Sequence, residues 1–332
     1  MTVPSKSFPI IVVEAAIVGL TFAIEAHRKG HHVRVFERQS KSTVIDAGEM
    51  VVVSLSALKT PMKWPHFEER LRELASKPDA IFENQSLLVN RRKFHSVLRD
   101  CTAEQGLSVE YETAGQEFFE NEKQGGITLK DGRKNTADLV VASDSIVSKS
   151  WKLFPGTYTS PISYGFVLYR VTFPIEEALK NPLISEKLED KPERSDAEES
   201  WSKPTTIDNA LEAVKGWDDF ATEFIKTTPN GIRFDWKTMW RNPQPQWVST
   251  GGRVVQLSDA AHLFWPTSGP GETMAMEDAW SPSTCLDLRG CGINYHDPEE
   301  YATNNYNNYA EHLLKDTPFT NTNYIPDYNY EP

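Results

Sequence analysis

The feature that most constrains the fold is a strand–turn–helix–strand pattern near the start of the chain. The apolar run Pro9–Val13 predicts a strand buried on both faces. Residues 20–29 carry apolar side chains at helical spacing, and Gly30 is placed to end that helix. Residues 32–37 predict a second strand with an acid at its end. Together they form a βαβ unit, which implies a parallel sheet with a right-handed crossover.

The composition excludes several classes of protein. The 332 residues include 47 acidic and 35 basic side chains, and the net charge of −12 repels phosphate backbones, so no nucleic-acid partner is expected. No apolar run approaches the roughly 20 residues of a membrane span. The first residues lack the apolar core of a signal peptide. Three cysteines, odd in number and without zinc spacing, predict reduced thiols, no bound metal and a cytoplasmic location.

Further elements are predicted along the rest of the chain by apolar periodicity and turn residues. The acidic segment 186–199 is interpreted as a solvated linker, and the Asn- and Tyr-rich end from residue 301 as a poorly ordered tail. The predicted elements are a mostly helical stretch over 60–115 with a helix from 91 to about 105, a strand at 108–113, a hairpin over 126–133, strands at 138–143, 163–174 and 252–257, and helix over 206–226.

The turn between the first strand and helix is the place to look for a dinucleotide site. Such a site needs the pattern G-x-G-x-x-G, in which glycines let the backbone meet the pyrophosphate at the helix N-terminus. Here the hexapeptide begins with Glu14 and keeps only the third glycine, Gly19. Glu37 stands where an acid would bind the ribose hydroxyls. Taken alone, this pattern favours an ordinary βαβ unit without a nucleotide.

Three segments together carry a family resemblance. Residues 10–38, 138–149 and 252–279 resemble, in order, the three flavin motifs of FAD-dependent aromatic-ring monooxygenases, the salicylate-hydroxylase-like enzymes of fungal metabolism. The resemblance implies an α/β fold: a Rossmann-like, glutathione-reductase-type FAD-binding domain with a reduced α+β substrate domain. The implied limits are 1–60, 85–155 and 250–285 for the FAD-binding domain, 60–84 and 156–249 for the substrate domain, and 286–332 for a C-terminal helix and flexible tail.

The resemblance also implies a cofactor, a reductant and a substrate class. FAD is the expected cofactor, NAD(P)H the transient reductant, and a small aromatic or polyketide-like molecule of secondary metabolism the substrate. The protein would supply orientation and a dry pocket. The implied site residues are Glu37 at the adenosine ribose, Ala47 and Gly48 near the ring, Arg91 in the phosphate region, Asp259 at the ribityl chain, Gly269 and Gly271 toward the ring carbonyl, and Arg170 close to the substrate as the catalytic candidate.

Several residues depart from the family pattern. Glu14 and Ala16 replace the first two glycines of the turn, and Ser145 replaces the glycine of an Asp-Gly pair. A carboxylate about 4 Å from the pyrophosphate would cost roughly 4 kcal/mol at an effective dielectric of ~20, or about a thousandfold in affinity. Rotation or protonation of Glu14 would lessen that cost. Glu272 stands where a small residue is usual, and Pro282 should cut short the last helix.

The shortened substrate domain leaves more than one function open. The Tyr169–Arg170 strand and residue 199 are joined by about thirty residues, where the family has several strands, so the pocket is expected to be reduced or open. The alternatives to a monooxygenase with impaired flavin binding are a cofactor-free isomerase or cyclase and a non-catalytic pseudoenzyme. Asp259, His262 and a nearby serine are disfavoured as a hydrolytic set, because no Gly-x-Ser-x-Gly turn exists.

One speculative arrangement would serve a cofactor-free enzyme. Glu14, Glu272 and Asp259 could converge at one site. One of these carboxyls would then have a raised pKa and could act as a general acid.

Overall fold

The structure is a computed structural model, and it describes ten stretches of the chain. All structural statements below concern these stretches. They are residues 7–41, 50–74, 86–154, 161–170, 175–188, 203–205, 207–228, 233–241, 246–263 and 271–289.

The strands and helices are numbered in chain order. The strands are β1 (Pro9–Val13), β2 (His32–Phe36), β3 (Met50–Ser54), β4 (Ser86–Asn90), β5 (Val109–Glu110), β6 (Gly115–Glu120), β7 (Gly125–Leu129), β8 (Lys134–Ala137), β9 (Leu139–Ala142), β10 (Ile162–Arg170), β11 (Lys203–Thr205), β12 (Arg233–Trp240) and β13 (Val254–Gln256). The α-helices are α1 (Ile17–Arg28), α2 (Leu55–Leu58), α3 (Phe67–Leu74), α4 (Arg91–Glu104), α5 (Ile175–Leu179), α6 (Pro182–Leu188), α7 (Ile207–Ala213), α8 (Asp219–Lys226) and α9 (Gly271–Arg289).

The central layer is a five-stranded parallel sheet in the order β13-β9-β1-β2-β5. β1 lies in its middle, and alternate residues of β1 face opposite layers. Ile10 and Val12 pack into a core shared with α1, α4 and α9, whereas Ile11 and Val13 pack against the β6-β7-β8 sheet. A strand covered on both faces has to be apolar throughout, which explains its sequence. The predicted βαβ unit and the α/β fold class are confirmed.

Two smaller antiparallel sheets complete the described fold. β10, β12 and β11 form a three-stranded sheet, in agreement with the strand predicted from residue 163. β3 pairs with β4, so part of the stretch predicted as mostly helical is a strand, and that part of the prediction is wrong. The strand at 108–113 is only the two-residue β5, while the hairpin near 130 is confirmed as β7 and β8.

Three predictions about the second half of the chain need correction or limits. Pro282 lies inside α9, which continues to Arg289, so the expected early end is wrong. The helix stays intact because α9 is held against α1 by buried residues such as Met276 and Ala279. The predicted helix over 206–226 is divided by a turn at Gly216, whose φ is +86°. The acidic linker is helical at its start, and residues 189–200 lie outside the described residues.

The domain limits stay predictions. The predicted boundary at 285 falls inside α9. Within the ten described stretches, helix length and hydropathy nowhere reach what a membrane crossing requires.

Candidate functional site

The turn between β1 and α1 has the backbone shape of a nucleotide-binding loop. Glu14 has a φ of +80°, a left-handed conformation that costs a residue with a Cβ about 1–2 kcal/mol. Its amide donates to the Phe36 carbonyl oxygen at 2.7 Å, which ties the turn to β2. Ser145, which replaces the glycine of the Asp-Gly pair, also has a left-handed φ of +70°. Both positions therefore keep the backbone that glycine prefers, although glycine is absent.

Gly19 permits the close contact between α1 and this turn. A Cβ at Gly19 would lie 2.1 Å from the Glu14 carbonyl oxygen and 2.9 Å from the Ser143 hydroxyl. Neither distance is possible for a real side chain without moving the backbone. Ser143 lies just beyond β9 and donates to the Val13 carbonyl at 2.6 Å, so it closes the same turn from the other side. Gly19 has the packing role of the third glycine in the motif.

Glu37 lies at the carboxyl end of β2 and is buried against the turn. One carboxylate oxygen accepts the Ala15 amide at 2.8 Å, and the other accepts the Gln39 amide at 2.8 Å. The acid is thus fixed beside the N-terminus of α1, where the sequence places it. Its bonding of ribose hydroxyls stays a prediction.

Glu14 belongs to a small cluster of charged groups at this turn, which we call the Glu14 cluster: Glu14, Glu37, Arg38 and Asp144. Burial raises the pKa of Glu14 to about 8, with further contributions from the negative charge of Glu37 and a hydrogen bond to it. Arg38 opposes this shift, with its Nε 3.6 Å from a Glu14 carboxyl oxygen. Burial also raises the pKa of Asp144. Glu14 is therefore mostly neutral at pH 7, and the repulsion of roughly 4 kcal/mol expected for an ionised Glu14 does not apply there.

His95 supports the turn from α4. Its Nε2 lies 2.7 Å from the Ala15 carbonyl oxygen, and because a carbonyl can only accept, Nε2 carries the hydrogen. Burial lowers the pKa of His95 to about 4, with smaller contributions from Arg91 and Arg99. The imidazole is thus a neutral donor. Sequence reasoning missed it, since nothing in the local pattern links position 95 to position 15.

Arg91 and Glu272 form an ion pair between the first turns of α4 and α9. Arg91 is the first residue of α4, after the cap Asn90, and Glu272 lies in the first turn of α9. Arg91 Nε lies 2.7 Å from Glu272 Oε1, and each side chain is 20% exposed. The arginine expected at the flavin phosphates is therefore bound to a carboxylate 181 positions away. The acidic first turn of α9 also suits the helix dipole.

Asp259 lies close to this ion pair, in the short 3-10 helix Ser258–Ala260. The residue is exposed to solvent. Displacement of water by neighbouring protein atoms raises the pKa of its carboxyl to about 6, helped by the negative charge of Glu272 and opposed by His262, Arg91 and Arg241. Asp259 and Glu272 are thus brought together as expected. Glu14 is not part of that group and belongs instead to the Glu14 cluster, which corrects the suggestion that all three acids converge.

His262 has a different partner from the one a hydrolytic set requires. Its Nε2 lies 2.5 Å from Asp278 Oδ2, and the same oxygen accepts the Ser258 amide at 3.0 Å. Its ring also contacts Trp247, with centroids 4.9 Å apart. Asp278 in α9 therefore holds His262 and the start of the Asp259 turn together. This arrangement positions a loop, and the Nε2 of His262 is directed at Asp278.

Comparison with known proteins identifies the family. No protein-family profile matches the chain. The FAD-dependent monooxygenase fsr3 of Gibberella fujikuroi is 31% identical over 351 positions, which cover 86% of this chain and 67% of the relative. The chain belongs to the FAD-dependent monooxygenases. The FAD-dependent monooxygenase mdpD of Emericella nidulans is 28% identical over 449 positions, covering 98% of this chain and 86% of the relative. That alignment is longer than the chain itself, so the relative carries segments that this chain lacks.

Solved structures agree with that family. CtdE in complex with FAD and its substrate 4 superposes with a TM-score of 0.75 at 25% identity, covering 86% of this chain and 82% of CtdE. A salicylate hydroxylase substrate complex has the same fold, with a TM-score of 0.61 at 16% identity and coverage of 85% and 80%. The predicted resemblance is confirmed.

The residues of this monooxygenase fit FAD in part. Glu37 and the left-handed turn are in place, and the cap residue Ala16 has no side chain that could bond the first amides of α1. Asp259 is accessible, but Arg91, the residue expected at the phosphates, is bound to Glu272. The site therefore keeps the frame of an FAD site, with two acids that FAD would have to meet.

Some predicted site residues cannot be placed in this geometry. Gly271 begins α9, at the edge of the site. The backbone of Arg170 pairs with Phe234 at the end of β10. Ala47, Gly48 and Gly269 lie outside the described residues. The roles assigned to these five residues stay predictions.

Proposed function

We propose that the chain is an FAD-dependent monooxygenase of secondary metabolism that hydroxylates a small aromatic or polyketide-like molecule, with NAD(P)H as reductant. We further propose that it binds FAD more weakly than a site with a complete glycine motif. The observation that carries the proposal is the turn after β1, where Glu37 bonds the Ala15 amide and Gly19 lets α1 approach. A non-glycine residue held in this left-handed conformation at a strand–helix turn favours a functional turn.

Three parts of the chain would hold FAD. The first-turn amides of α1 would meet the pyrophosphate, because a helix N-terminus attracts anions. Glu37 would accept ribose hydroxyls through the free lone pairs of its carboxylate oxygens. Asp259 would accept from the ribityl chain. Bound FAD supplies electron transfer and oxygen activation, and the protein's part is to bind, orient and exclude water.

Three residues support the weakened affinity. Glu14 places a carboxyl group at the turn, and Ala16 adds a Cβ where the second glycine would leave space. Glu272 holds Arg91 at 2.7 Å, so Arg91 has to leave its partner before it can bond a phosphate. Breaking a partly exposed ion pair costs up to about 1 kcal/mol, or roughly fivefold in affinity.

The test is a flavin titration of the purified protein. We expect saturable quenching of FAD fluorescence by the wild type, and tighter binding in the double variant Glu14→Gly with Ala16→Gly. The matched control is Glu122→Gln, which removes an exposed carboxylate far from the turn and should bind like the wild type. NADPH oxidation with candidate phenols follows.

The same titration can refute the proposal. Absence of saturable binding at high micromolar FAD, in both the wild type and the double variant, would refute the monooxygenase proposal. The cofactor-free isomerase or cyclase and the non-catalytic protein would then be the remaining interpretations.

A further inference from the structure

We propose that FAD binding to this chain is coupled to the proton on Glu14: the neutral carboxyl donates to Glu37 and admits the pyrophosphate, whereas the ionised carboxylate excludes it. This inference rests on the proposed function and adds a pH dependence to the same site. It concerns a residue that replaces a glycine of the motif, so it is a property of this chain.

The backbone of Glu14 is fixed at the turn. The Glu14 amide is bonded to Phe36, and the next amide is bonded to Glu37. These two bonds and the left-handed φ set the direction in which the Cα–Cβ bond of Glu14 leaves the backbone. The side chain is 15% exposed, so water can stabilise its charge only in part.

The groups that face Glu14 come from three elements. The end of β2 supplies Glu37 and Arg38, and the segment after β9 supplies Asp144. On the side of α4, His95 bonds the neighbouring Ala15 carbonyl and is neutral at pH 7. Two acids therefore face Glu14 against one cation. That cation is 47% exposed and 3.6 Å away, beyond hydrogen-bond distance, so it compensates a second carboxylate only weakly.

The hydrogen bonds decide which of the two acids carries the proton. Each Glu37 oxygen already accepts a backbone amide. Glu14 is therefore the donor of the pair, with Glu37 as its acceptor. The raised pKa of Glu14, about 8, agrees with this assignment.

A phosphate at the N-terminus of α1 adds negative charge beside Glu14. Below pH 8 the carboxyl is already protonated, and FAD binds without taking up a proton. Above pH 8 FAD has to select the protonated fraction, so the apparent Kd rises by the reciprocal of that fraction. With a Glu14 pKa of about 8, the apparent Kd should be about tenfold higher at pH 9 than at pH 7.

The experiment measures the FAD Kd by fluorescence titration at pH 6, 7 and 9. The wild type should lose about tenfold in affinity between pH 7 and pH 9. Glu14→Gln keeps a neutral side chain at every pH and should change less than about twofold. Glu14→Gly is the second variant, in case glutamine disturbs the turn, and Glu122→Gln should follow the wild type. Near-ultraviolet circular dichroism at each pH verifies that the proteins are folded.

Proton uptake supplies a second readout. Calorimetric titrations at pH 9 in two buffers with different ionisation enthalpies should show close to one proton taken up by the wild type per FAD bound, and none by Glu14→Gln. Equal pH dependence in the two proteins, or equal proton uptake, overturns this inference and leaves the proposed function standing. Absence of FAD binding to every variant at pH 6 overturns both.

Discussion

Protonation of His95 should weaken the fold at mildly acidic pH. The buried imidazole donates Nε2–H to the Ala15 carbonyl and has a pKa of about 4, whereas in the unfolded chain its pKa is the ordinary 6.5. The unfolded state therefore binds more protons below pH 6.5. The free energy of unfolding should fall as the pH drops from 6.5 toward 4, and this contribution is complete above pH 6.5.

The magnitude follows from the two pKa values. The full difference corresponds to about 3 kcal/mol at 1.36 kcal/mol per pKa unit. Between pH 7 and pH 5 the expected loss is about 2 kcal/mol. Glu14 has the opposite sign, because its raised pKa makes the fold more stable as the pH falls from 8 to 4.5. The effect of His95 therefore has to be measured as a difference between two proteins in which the pH dependence contributed by Glu14 is the same.

The variant His95→Gln provides that comparison. Glutamine can place an amide donor near the position of Nε2 but does not titrate, and both proteins keep Glu14. We expect His95→Gln to be about 1 kcal/mol less stable than the wild type at pH 7, because some packing is lost. This gap should close and reverse by pH 5.

Urea unfolding followed by tryptophan fluorescence, from pH 5 to pH 7.5, measures the effect. The control His32→Gln removes an exposed imidazole and should leave the wild-type profile unchanged. Parallel profiles for the wild type and His95→Gln would refute the reasoning, since they would mean that His95 is not held neutral by the fold.

Two further changes test the packing of the site. Gly19→Ala should lower the free energy of unfolding by at least about 2 kcal/mol, because its Cβ would meet the Glu14 carbonyl at 2.1 Å. Gly271→Ala is the control, because no atom of the described residues lies within 4 Å of the Cβ that it adds, and equal urea midpoints would contradict the close contact at Gly19. A double-mutant cycle of Arg91→Gln and Glu272→Gln should give a coupling energy of about 1 kcal/mol in urea unfolding, and a value below about 0.3 kcal/mol would mean that the pair contributes nothing to stability.

The parts of the fold that depend on local patterns were predictable. β1, α1 and β2 follow one another within the reach of a short sequence window, and their apolar spacing identifies them. β3 and β4 were missed because each is a five-residue run whose partner lies more than thirty positions away. A short apolar run of this kind does not distinguish a strand from part of a helix. The predicted early end of the last helix at Pro282 was wrong, because the packing of α9 outweighs the local tendency of proline to end a helix.

In the site, too, local patterns were predictable and long-range contacts were not. The positions of Glu37, Asp259 and Glu272 relative to strands and helix ends came from motif spacing. Their partners did not, because the contact between Arg91 and Glu272 joins residues 181 positions apart. Protonation of Glu14 was raised as an option from the sequence, but the burial and the neighbouring Glu37 and Arg38 that decide it are visible only in the structure.

The two acids that depart from the family pattern both have partners within the protein. Glu14 is mostly protonated and bonded to Glu37, and Glu272 is paired with the guanidinium of Arg91. Their charge is thus largely balanced within the protein itself, and the turn after β1 keeps its shape. In the proposed function the electrostatic cost falls instead on FAD binding, which would have to keep the proton on Glu14 and separate Arg91 from Glu272. The weak flavin binding that we propose would then be a consequence of charges that the protein already neutralises, and restoring glycine at position 14 would relieve only one of them.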